Sequence, residues 1–179
     1  GIKEHLERHG NATGPVDLKS VQGLKFATEL VRASDVLLEN FGAGVLDRLG
    51  LGYDAMQKVN PRLVYCALKG FLSGPYEQRV ALDEVVQMMG GLAYMTGPEG
   101  RPLRAGASVN DVMGGLFGVV AIQAALWERQ RTGKGTFVRS GLFENNMFLV
   151  YWDQPMLPPY RWPLPCREDA LGKLENWTS

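Results

Sequence analysis

Asp111 and Asp83 are the side chains whose type and position best suit chemistry in this sequence. Asp111 follows a glycine-rich loop and opens the longest apolar-periodic segment. A carboxylate at a helix start meets backbone N–H groups and the positive helix end, worth about 0.3–1 kcal/mol toward keeping it ionised. An ionised, held carboxylate is the form that attacks an electrophilic carbon. Plain N-capping explains the same placement, because capping is the commonest work of Asp at helix starts. Asp83 opens a helix in the same fashion, with Gly90-Gly91 behind it. Behind Asp111 stand Gly114, Gly115 and Gly118, each costing about 1 kcal/mol in a helix interior. Either another element packs close there, or the thin chain of a ligand does.

Other chemistries find little support. His5 and His9 have no partner motif, and no G-x-S-x-G elbow occurs, which disfavours a Ser-His hydrolase. There is no phosphate-cradling glycine motif. Thr132-Gly133-Lys134-Gly135 reads better as a helix-ending turn than as a phosphate contact. Cys66 and Cys166 lack companions at metal spacing, so no metal site is expected and both read as reduced, structural thiols of a cytoplasmic protein. Nineteen basic residues balance nineteen acidic ones, which argues against nucleic acid or a membrane surface as partner. No window approaches the ~20 apolar residues of a membrane span, and the start lacks a signal-peptide pattern. The first residue, Gly1, suggests a processed, tagged or excised segment.

The elements that must position the two acids alternate in type. Apolar spacing predicts a helix over Val21 to Ala33, then a short strand at Val36, Leu37 and Leu38. Helical turns follow at Val45 to Leu49 and Tyr53 to Val59, the second ended by Asn60-Pro61. Leu63 to Leu68 is apolar throughout, like a strand covered on both faces. Helices are expected from about Leu82 to Met95 and Asn110 to Arg131, a strand over Thr136 to Ser140, and a helix over Leu142 to Tyr151. Such alternation predicts an α/β domain with a parallel sheet, both acids lying near its carboxyl edge, the usual ligand side. From Trp152 the chain turns rich in Pro and Trp and does not read as more of the sheet. The expected divisions are 1–15, a diverged or disordered start; 16–150, the domain; and 151–179, a tail.

Five ordered blocks carry a resemblance. Asp35 to Phe41 with Gly44 and Leu49 to Tyr53 form the first, Asn60 to Cys66 the second, and Gly70-Phe71 with Gly74-Pro75-Tyr76 the third. Leu82-Asp83 with Gln87 and Gly90-Gly91 form the fourth, and Asp111 with Gly115, Ala124 to Leu126, Arg129 and Arg131 to Gly135 the fifth. Together they resemble class III CoA-transferases, as does Asp17 to Ser20. The resemblance implies a Rossmann-like parallel-sheet large domain and a reaction that moves coenzyme A between carboxylic acids. It implies that Asp111 is the nucleophile and Asp83 the auxiliary acid that positions substrate. Helix-start amides would stabilise the oxyanions. Asn40, Phe41, Gly42, Arg48 and, less directly, Arg79 would contact CoA, arginine suiting phosphate by its two-pronged fork. CoA and acyl-CoA would come and go as substrates, with no tightly bound cofactor and a homodimer as the working unit. The blocks correspond to an internal fragment lacking the family's N-terminal portion and second half, expected to be inactive alone. Racemases of the same fold resemble the chain too, but carry a histidine where Leu82 stands.

Overall fold

The computed structural model describes residues 14–79, 81–98 and 100–151. Three parallel strands, β1 (Val36–Glu39), β2 (Val64–Lys69) and β3 (Phe137–Gly141), lie side by side in that order. Val36 pairs with Val64 and Tyr65 with Phe137, which fixes the register of both ladders. Between β1 and β2 the chain passes through α2 (Val45–Arg48) and α3 (Tyr53–Val59), and α1 (Val21–Ala33) precedes β1. Between β2 and β3 it passes through α4 (Asp83–Met89), α5 (Leu92–Thr96) and α6 (Val109–Thr132); α7 (Leu142–Tyr151) follows β3.

The expectation for β2 holds: Val64, Tyr65, Cys66 and Ala67 are almost wholly buried, as a central strand covered on two faces must be. Tyr65 and Ala67 face a core built by Val31 of α1, Leu46 of α2, Leu51 of the segment between α2 and α3, and Met56 of α3. Cys66 and Leu68 point to the opposite face, where α6 lies. A Cβ on Gly118 would come within 2.9 Å of Leu68 Cδ2, and one on Gly114 equally close to Leu142. These two glycines therefore serve close packing, while Gly115 has open space beside it. Local signals set the ends. Ser20 caps α1 by accepting the Gly23 amide. Asn60 then donates its side-chain amide to the carbonyls of Val31 and Ser34, tying the exit of α1 to that of α3.

Two expectations are corrected. The helix foreseen from Leu82 to Met95 is two helices, because Gly91 turns left-handed at φ 86° and ends α4. Asn146 of α7 occupies the space a side chain at Gly90 would need. The statement that no segment is apolar enough to span a membrane also fails: α6 qualifies by length and composition. A helix packed on a sheet meets the same criterion, and its far side, Val112, Leu116, Val119, Val120 and Trp127, is exposed among the described residues. Thr132 to Gly135 is the exit of α6, as its composition predicts: Gly133 is left-handed and returns its amide to Arg129, and Gly135 lies against the Leu63 carbonyl. That turn sits at the opposite end of α6 from Asp111, some 30 Å away at about 1.5 Å per residue. His5, His9, Cys166 and the Pro/Trp-rich tail lie outside the described residues.

Candidate active site

The first turn of α6 is capped by a side chain from α4. Ser108 stands at the N-cap position without a capping bond, its hydroxyl instead accepting from Arg104 at 3.0 Å. The Asp83 carboxylate does the capping. Its Oδ1 accepts the amides of Asn110, at 2.7 Å, and Asp111, at 3.2 Å. Its Oδ2 accepts from Gln87 Nε2 and lies 3.6 Å from an Arg104 guanidinium nitrogen. Only 3% of Asp83 is exposed, so a buried anion is offset here by backbone donors, an amide and a cation.

This arrangement revises two readings of Asp111. It is the third residue of the helix, not its cap. The first-turn amides expected to steady oxyanions are already engaged: Val109 bonds Ala107, Asn110 and Asp111 bond Asp83, and Val112 bonds Ser108. The Asp111 carboxylate itself forms no hydrogen bond among the described residues, and the residue is exposed. Partial burial of the carboxyl group raises its pKa, the negative charges of Asp83 and Glu84 raise it further, and Arg104 opposes them. The net direction is upward, against the expectation that the helix end would favour ionisation. Once ionised, such a carboxylate is less comfortable and more basic than one in water, which favours nucleophilic attack.

The other predicted residues gather at the carboxyl ends of β1 and β2. Asn40, Phe41 and Gly42 follow β1 directly and are all exposed. Arg48 ends α2 with its guanidinium over Gly44. Arg79 stacks on the Tyr76 ring at 4.7 Å. Neither arginine is ion-paired among the described residues. Next to them opens a cleft of about 310 Å³, lined by Ala43, Gly44, Tyr53, Tyr65, Phe137 and Lys69 among others. Neither Asp111 nor Asp83 lines it. Its rim carries Glu39, Asp47, Asp54 and Glu77 against Lys69 and Arg139, so by charge it does not attract phosphate.

Sequence reasoning passed over three residues. Lys69 pairs with the buried Glu39 at 2.6 Å and donates to the Phe41 carbonyl at 2.7 Å, while Glu39 also accepts the Phe41 amide. Charges ending two apolar strands were the available signal. Gln87 and Arg104 are the others: the first entered only as part of a motif, and the partners of both come from distant sequence. Cys66 is a free, buried thiol whose pKa burial pushes up, which makes it unreactive, as a structural cysteine should be.

Comparison with known proteins follows the same lines. The sequence profile of CoA-transferase family III matches residues 6–160. Formyl-CoA:oxalate CoA-transferase of Streptomyces avermitilis is 45% identical over 121 residues, covering 67% of this chain and 30% of that protein. Succinate–glutarate CoA-transferase of Agrobacterium fabrum is 38% identical over 142 residues, covering 78% and 36% respectively. The crystal structure of a CaiB/BaiF family protein from Brucella suis superposes with a TM-score of 0.77 at 36% identity, covering 83% of this chain and 40% of that one. The chain thus spans about a third of the length of these curated relatives. With a profile match over most of its residues, and with the parallel α/β sheet those neighbours share, the chain belongs to CoA-transferase family III.

Proposed function

We propose that the whole protein transfers coenzyme A between carboxylic acids, with Asp111 as nucleophile. The observation that carries this reading is a carboxylate with no hydrogen-bond partner among the described residues, fixed at the start of α6 beside a buried, fully bonded Asp83. Ionised Asp111 attacks the carbonyl carbon of an acyl-CoA, the C–S bond breaks, and a mixed anhydride and CoA thiolate result. The thiolate attacks the aspartyl carbonyl of the anhydride, giving aspartyl-CoA thioester and releasing the first acid as its carboxylate. The second carboxylate attacks that thioester, CoA thiolate leaves again, and a second mixed anhydride forms. Thiolate attack on its acyl carbonyl yields the new acyl-CoA and restores Asp111. No net proton moves, which suits a site without a general acid.

In this scheme Asp83 acts on substrate only through the backbone it holds, since both its oxygens are bonded to protein. Asn40, Phe41, Gly42, Arg48 and Arg79 take the CoA moiety at the carboxyl edge of the sheet, the two arginines meeting phosphates. Relatives named for formyl-CoA, oxalate, succinate and glutarate point to small mono- and dicarboxylic acids as the exchanged acids. A homodimer in the cytoplasm is the proposed setting, where the free thiol of Cys66 would stay reduced. The test is mass spectrometry of the whole protein quenched during turnover with hydroxylamine. The expected product is a hydroxamate on Asp111, together with loss of exchange in Asp111→Asn; an adduct on another residue, or full activity in that variant, refutes the assignment.

A further inference from the structure

We propose that Gln87 is the positioning residue for the Asp111 nucleophile and acts through Asp83, an inference that rests on the transferase reading above. Gln87 is completely buried. Its Oε1 accepts the Ala105 amide at 2.7 Å, and its Nε2 donates to Asp83 Oδ2 and to the Ala107 carbonyl at 3.3 Å. Asp83 Oδ1 in turn accepts the amides of Asn110 and Asp111. One carboxamide therefore gathers the loop that carries Arg104 and, through one carboxylate, the first turn of α6.

Its orientation is forced by chemistry. Turning the carboxamide over would set its NH₂ against the Ala105 N–H and its oxygen against the Asp83 carboxylate, losing both bonds. The neutral donor also adds no charge beside Asp83, which a protonated histidine or lysine there would. The charged groups around the pair are Asp83 and Glu84 on α4, Arg104 on the loop and Asp111 on α6. The adjoining α7 brings Glu144, which accepts the Leu72 amide. Attack on an acyl carbon depends on alignment, and a displacement of about 1 Å costs on the order of a hundredfold in rate.

The discriminating variant is Gln87→Glu. When protonated, its carbonyl oxygen still accepts from Ala105 and its hydroxyl still donates to Asp83. When ionised, it sets a second carboxylate against the first, and the two repel. In the whole protein, the wild type, Gln87→Glu and Gln87→Leu are compared by kcat, KM for acyl-CoA and amide hydrogen exchange over residues 105–112, across pH. Gln87→Glu is expected within about threefold of wild type at acidic pH, then falling by on the order of a hundredfold in kcat as pH rises, with KM little changed. Amide exchange at Asn110 and Asp111 should quicken over the same pH range, relative to wild type. Gln87→Leu should be slow at every pH. A Gln87→Glu enzyme that follows the wild-type profile in both readouts, or a Gln87→Leu enzyme with wild-type kcat, overturns the proposal. A wild type without CoA exchange refutes the transferase reading instead, and hydrogen exchange then decides the role of Gln87 by itself.

Discussion

Replacing Asp83 by Asn keeps its size and removes its charge, and the structure sets the cost. Two backbone amides would still find an oxygen, but a neutral one. Hydrogen bonds to charged acceptors contribute about 1.5–3 kcal/mol each against about 0.5–1.5 for neutral ones, so this change loses roughly 2 kcal/mol over the pair. The new NH₂ group then faces the NH₂ of Gln87. If Gln87 turns over to accept it, the Gln87 NH₂ meets the Ala105 N–H instead, so one buried donor is stranded in either case, at about 1–3 kcal/mol. Relief of repulsion with Glu84 and Asp111 offsets part of this. The expected net destabilisation is about 2–4 kcal/mol. At a mid-range slope of about 2 kcal/mol per molar of urea, the unfolding midpoint falls by roughly 1–2 M. Equilibrium urea unfolding measures it, and hydrogen exchange at Asn110 and Asp111 locates the loosening. A midpoint within about 0.3 M of wild type, with unchanged protection of those amides, would refute the capping role of Asp83.

Further outcomes follow from the same geometry. Because the folded state raises the Asp111 pKa, the native protein holds its proton longer than the unfolded chain. Ionising Asp111 therefore destabilises the fold as pH climbs from the ordinary carboxylate range toward the raised value. Asp111→Asn should raise the urea midpoint at neutral pH and leave it unchanged below the ordinary range; Arg104→Gln should move the acid limb of kcat upward. Gly115→Ala should stabilise by up to about 1 kcal/mol, since it meets open space, while raising KM for acyl-CoA if the ligand chain passes there. Gly118→Val, pressed on Leu68, should cost about 1–3 kcal/mol, both being read by thermal unfolding and steady-state kinetics. Lys69→Met leaves Glu39 buried without its cation and should cost about 3–5 kcal/mol, most of it regained when Glu39→Leu is added.

Elements governed by neighbouring residues were legible in the chain itself. Tyr53–Val59 and Leu142–Tyr151 fall where apolar spacing and Asn60-Pro61 put them, and β2 announced its double coverage by an unbroken apolar run. What escaped depends on partners far along the chain. The break between α4 and α5 goes with Asn146 lying over Gly90, which no reading of residues 82–95 contains. Asp111 stood out as an acid after a loop, yet the cap belongs to Asp83, 28 residues earlier, which changes its assigned place in the helix, while burial and then the charges of Asp83 and Glu84 reverse the expected direction of its pKa. The resemblance singled out Asp83 without its bonds and Gln87 without a task, since motifs preserve residue types and not the contacts that employ them.

Arg129, near the far end of α6, hydrogen-bonds the carbonyls of Asp35 and Arg62 and pairs with the Asp35 carboxylate at 2.9 Å, at the entrances to β1 and β2. Eighteen residues of helix, about 27 Å at 1.5 Å each, separate it from Asp111. A hydrogen-bonded helix scarcely stretches, so this rod is pinned at one end by a guanidinium and at the other by a carboxylate. Slack at the arginine would be delivered at Asp111 as a sliding or tilting of the whole rod, and the position of that carboxylate is thereby gauged from the opposite end of the sheet.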